Sequence, residues 1–76
     1  MTRYFFDVKD KASIQYDYSG RYLRSIAEVK ELAALIAIDL GCTAGDASFG
    51  TEVQVRDPAG RQLFAVAVQP ASALAA

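Results

Sequence analysis

The stretch EVQVRDPAGRQLFAVAV, residues 52–68, decides the fold. Two alternating apolar runs flank Asp57-Pro58-Ala59-Gly60. Pro58 brings a fixed φ and Gly60 tolerates a positive one, so the four residues form a turn and the whole stretch a β-hairpin. Two registers compete. A loop of three residues pairs Asp57 with Arg61 and sets Leu63, Ala65 and Ala67 beside Val53 and Val55. A loop of four, Asp57 to Gly60, pairs Arg56 with Arg61 and sets Phe64, Val66 and Val68 beside the valines. The second buries much more apolar surface, at about 25 cal/mol per Å². A slip of one residue would turn the whole set outward. The expected register is therefore the four-residue loop.

The N-terminal run RYFFDVKD, residues 3–10, alternates in the same way. Tyr4, Phe6 and Val8 take one side, and Arg3, Phe5 and Asp7 the other. After the polar turn KDKA, the segment SIQYDY sets Ile14, Tyr16 and Tyr18 against Ser13, Gln15 and Asp17, which completes a first hairpin. Ser25 then opens a helix with a capping-box pattern, SIAE. At about 100° per residue, Ile26, Val29, Leu32, Ala33, Ile36, Ala37 and Leu40 share one face. Glu28, Glu31 and Asp39 lie opposite, joined there by Leu35 and Ile38. Gly41 is the expected stop, and GCTAGDASFG after it reads as a loop.

The predicted order is β-β-α-β-β, an α+β domain over residues 1–69. Its four-stranded, mainly antiparallel sheet carries one helix on one face. Setting the first strand beside the third keeps all neighbours antiparallel, which gives the order 2-1-3-4. Pro70 ends the last strand, and residues 70–76 read as a flexible tail. Its final ALAA is similar to the small-residue tags read by bacterial unfolding proteases, although an ordinary alanine-rich tail is the plainer reading.

Composition narrows the function. The 76 residues contain no His and one Cys, and eight Lys plus Arg face nine Asp plus Glu. Without His, Ser-His-Asp and Cys-His mechanisms and His-ligated metals are excluded within one chain. A lone Cys42 has no partner base and reads as a bystander. Asp7 and Asp10 stand at odd spacing, on opposite faces of a strand, so they form no metal pair. No cofactor is implied, and no enzyme is expected. A net charge of −1 argues against nucleic acid. No apolar run is long enough for a membrane span and no signal segment opens the chain, so a cytoplasmic protein is expected.

The opening RYFFDVKD and the later EVQVRDPAGRQLF resemble a family of short alphaproteobacterial proteins catalogued only as a domain of unknown function. The family's pattern is R-Y-F-F-x-[VI]-x-D, an acidic DxxG-like segment, an Ala-rich helix and E-V-x-V-x-D-x-x-G-R-x-L. Here DYSG, Asp17 to Gly20, takes the middle place. Many of those relatives carry His where this chain has Asp7. The resemblance implies the fold and brings no activity, ligand or catalytic residue.

What remains is surface. A sheet with one helix leaves its second face open, where Phe5, Leu63, Ala65 and Ala67 would form an apolar patch fit for a second copy of the chain. Leu35 and Ile38 on the outer helix face form a second candidate contact. Arg56 and Arg61, cross-strand neighbours in the expected register, form a candidate anion contact, with Arg3 as a further cation for nucleic acid. The expected function is a non-catalytic interaction module that self-associates through the open sheet face.

Overall fold

The computed structural model describes residues 1–69. Strand β1 (Thr2–Lys9) is followed by two short strands, β2 (Ile14–Gln15) and β3 (Arg21–Leu23). Helix α1 (Ile26–Ala44), a 3₁₀ turn (Gly45–Ser48), and strands β4 (Glu52–Arg56) and β5 (Gln62–Ala67) complete the chain. The sheet is antiparallel, ordered β2-β1-β4-β5, with β3 also paired to β1. The α+β class and the placing of the first strand beside the first strand of the second hairpin agree with the sequence reading. The tail and its ALAA ending lie outside the described residues.

The core obeys strand parity. Phe6, Val53, Val55 and Val68 are buried against Val29, Ala33 and Ala37 of α1, with Tyr4, Leu32, Ile36, Phe64 and Val66 packed around them. Val29, Val53 and Val55 are fully buried, each contributing about 1.5–3 kcal/mol over exposure. The small side chains Ala33 and Ala37 recur at four-residue spacing from Val29 and form the helix stripe that lies on the sheet.

The helix differs from the sequence reading in its end and in one core residue. The helix does not stop at Gly41 but runs to Ala44, capped by Gly45 at φ 57. Gly41 is the next member of the buried Val29–Ala33–Ala37 series, so burial along that stripe outweighs the roughly 1 kcal/mol cost of a helical glycine. Most of the expected loop is therefore helical. Ile26, assigned to the core face, is 45% exposed in the first helical turn. At the N-terminus of α1, the Ser25 hydroxyl accepts the Glu28 N–H at 3.2 Å, as the cap pattern predicts.

The second hairpin merges the two competing registers. Asp57 N–H donates to the Arg61 carbonyl at 2.9 Å, which makes a three-residue loop. Arg56 then faces Gln62, and Val55 faces Phe64, so Leu63 is an unpaired bulge residue. The bulge restores Phe64 and Val66 to the side of Val55 and Val53. The faces are those expected, but the pairing of Arg56 with Arg61 is not made. The expected second strand is also interrupted. Val8 pairs with Gln15 and Tyr4 with Arg21, so two extra residues are accommodated between β2 and β3, and the sheet has five strands rather than four.

Candidate binding face

The interruption between β2 and β3 builds the most elaborate part of the surface. Residues 16–20 leave the β1 ladder, which would strand backbone groups of β1. Asp17 compensates with its side chain. One carboxylate oxygen accepts the Phe6 N–H at 3.1 Å, and the other accepts the Ser19 and Gly20 N–H groups at 3.1 and 3.0 Å. Burial of the Asp17 carboxyl works to raise its pKa, but these donors and nearby Arg56 outweigh it and hold the group below its ordinary value. Gly20, at φ 71, closes the loop. A Cβ there would stand 2.9 Å from the Tyr4 carbonyl oxygen, so only glycine fits this close approach. The DYSG segment is thus an aspartate-bridged break in a strand.

Beneath that loop sits Asp7, 1% exposed. Its carboxylate accepts the Asp17 N–H at 2.8 Å and two guanidinium bonds from Arg56, at 2.5 and 3.0 Å. Arg56 also reaches the Asp17 carbonyl at 3.3 Å. Asp7, first of all through its hydrogen bond, raises the Arg56 pKa above its already high ordinary value. The buried charge is therefore paired and hydrogen-bonded, the condition under which such a group is tolerated. Asp7 is thus the hub of a network spanning β1, β4 and the strand break.

Arg56 is also held over two rings, 5.0 Å from the centroid of Phe5 and 5.5 Å from that of Tyr16. Arg3 covers Phe5 at 5.0 Å, while its guanidinium donates to the Ser19 and Tyr18 carbonyls at 2.8 and 3.2 Å. Tyr22 pairs with Arg3 across β1 and β3, and the Tyr18 ring lies 6.5 Å from Tyr16. The open face thus presents a row of alternating aromatic and guanidinium groups: Tyr22, Arg3, Phe5, Arg56 and Tyr16. Beside the row, Lys9, Lys11, Ile14, Tyr16, Gln54 and Gln62 help line a shallow concavity of about 410 Å³.

Of the residues singled out from the sequence, Phe5, Leu63 and Ala65 do share the open face. Phe5 is half-buried between two guanidinium groups rather than a bare apolar patch, and Leu63 is 40% exposed. Leu35 and Ile38 are 62% and 54% exposed on the outer side of α1, away from the sheet. Arg56 and Arg61 do not converge. Arg56 belongs to Asp7, whereas Arg61 lies at the turn, 3.3 Å from Asp57 and 82% exposed. Asp57 also accepts the Arg61 N–H at 2.9 Å and is held below its ordinary pKa chiefly by that bond, so the DxxGR pattern is a turn device.

Tyr16, Tyr18 and Tyr22, 50%, 83% and 62% exposed, were not singled out by the sequence reading. Their facing is set by the register of the first hairpin. Lys9 pairs with Ile14, which puts Ile14 on the open face together with Arg3, Phe5 and Asp7. Burial of apolar surface, the criterion that settles the second hairpin, would instead favour turning Ile14, Tyr16 and Tyr18 inward, so it does not predict this register.

These features define a small α+β domain with one helix-covered sheet face and one open face set with tyrosine and arginine. The chain belongs to the family described as Domain of unknown function (DUF6894), which matches residues 3–69. No curated protein and no solved structure matches it. No helix among the described residues is long and apolar enough to cross a membrane.

Proposed function

We propose that the protein is a small non-catalytic interaction module whose open sheet face docks a protein partner. The observation that carries this reading is the exposed Tyr16, Tyr18 and Tyr22 beside guanidinium groups already fixed by internal bonds. Tyrosine and arginine supply a disproportionate share of the energy of protein interfaces. Arg3 and Arg56 are ordered before binding, so docking costs little further side-chain entropy. The carboxylates of Asp7, Asp17 and Asp57 are committed to backbone and arginine donors, which supports a structural rather than catalytic role for them. On the face itself, Asp7 offsets Arg56, and Glu52 lies opposite Lys9 in the ladder. That balance favours a protein over a polyphosphate chain, whose binding rests on uncompensated cations. An exposed thiol at Cys42 suits a reducing compartment such as the cytoplasm.

The test is crosslinked capture from the native host, comparing wild type with a Tyr16→Ser, Tyr22→Ser variant of matched thermal stability. The expected outcome is that proteins captured by wild type are lost with the variant. Recovery of the same proteins by both chains refutes the face as the docking surface. Capture of nucleic acid that elutes steeply with salt would replace the protein partner by a polyanion.

A further inference from the structure

We infer that strand β5 pairs edge to edge with β5 of a second copy of the chain, joining two sheets into one. The two edges of the sheet differ in kind. The β2–β3 edge is short, broken and folded over by residues 16–20, which are features that blunt an edge against pairing. The β5 edge carries Gln62-Leu63-Phe64-Ala65-Val66-Ala67, with no charge and no proline. Nothing among the described residues pairs with its outer side.

The direction of its backbone groups follows from one hydrogen bond. Val68 N–H donates to the Thr51 carbonyl at 2.9 Å, so this pair is of the hydrogen-bonded kind. Antiparallel pairs alternate, and the ladder continues through Ala67 opposite Glu52, Val66 opposite Val53, and Ala65 opposite Gln54. Val66 and Phe64 therefore turn their N–H and C=O groups toward β4. Ala65 and Ala67 turn theirs outward, and their small exposed side chains do not shield them.

A second copy suits this edge for three reasons. Antiparallel pairing about a two-fold axis at Val66 sets Ala65 of each copy opposite Ala67 of the other, so each outward donor meets an outward acceptor. The same axis sets Val66 beside its counterpart and Phe64 beside Val68 of the other copy, extending one apolar layer beneath both helices. The strand bears no charge, so self-pairing brings no like charges together. This contact is separate from the tyrosine–arginine row, which both copies would keep exposed.

The experiment is light scattering of the full chain at about 100 μM, alongside amide hydrogen exchange. Wild type is expected at twice the 8.2 kDa of one chain. Ala65→Pro removes an outward donor without touching the β4 ladder, and Ala67→Lys adds a charge to the edge; each is expected to halve the mass while the circular dichroism stays native. Because Ala65→Pro could fail to fold, Ala67→Lys decides in that event. In wild type, the Ala65 and Ala67 amides should be protected in the dimer and lose protection on dilution, while those of Phe64 and Val66 stay protected throughout. A monomeric wild type, a dimer that survives Ala67→Lys, or Ala65 and Ala67 amides unprotected in the dimer overturns the inference. So does loss of the dimer in Tyr16→Ser, Tyr22→Ser, which would move self-association to the open face.

Discussion

Replacing Asp7 by Asn probes the centre of the fold with a near-isosteric change. The carboxylate accepts three donors, two from Arg56 and one from the Asp17 backbone, in a site 1% exposed. An asparagine amide offers one oxygen and one NH₂, so at least one donor would face another donor. Loss of a bond to a charged group is worth about 1.5–3 kcal/mol, and a buried donor left unpaired costs about 1–3 kcal/mol more. The Arg56 side chain is 26% exposed, so water can reach it and the total stays near the lower end of the combined range. The expected loss is about 2–3 kcal/mol. A chain of this length has a total stability of roughly 4–11 kcal/mol, so the loss is a large share of it. Thermal melting should shift down by roughly 10–20 °C. Urea unfolding of Asp7→Asn, Arg56→Gln and the double variant should give a coupling above about 1 kcal/mol, because the two residues act on one another. A single variant within about 0.5 kcal/mol of wild type at unchanged slope, or strictly additive effects, would show that the pair does not hold the strands together.

Gly20→Ala should cost about 2 kcal/mol or more in urea midpoint analysis, since a left-handed backbone and a 2.9 Å approach to the Tyr4 carbonyl coincide there. Gly60→Ala, at φ 87 with nothing near its Cβ position, should cost only about 1 kcal/mol, and equal losses would refute the role of the close approach. Asp10, Asp17 and Asp57 all have folded-state pKa values below 3.8, so their contribution is present above that value and is lost as pH falls through the folded values. Stability should therefore decline on acidification below about pH 4, and a urea midpoint that rises there would contradict the assignment. Ser25→Ala removes the acceptor of the Glu28 N–H and should destabilise by about 1 kcal/mol in thermal melts.

The sequence by itself determined the α+β class, the place of β1 beside β4, and which of Phe5 and Phe6 enters the core. These follow from periodicity: alternation of two in a strand and recurrence of three to four in a helix are local, and burial of apolar surface fixes their facing. Only the tertiary structure decided the break in the second strand, the bulge at Leu63, the continuation of α1 through Gly41 and the outward turn of the tyrosines. Each depends on partners far apart in the chain. Asp17 replaces a missing ladder acceptor for Phe6, eleven residues away, and Asp7 meets Arg56 across forty-nine. A polar side chain that substitutes for backbone leaves no periodic mark, because its value is set by the donors that folding brings to it.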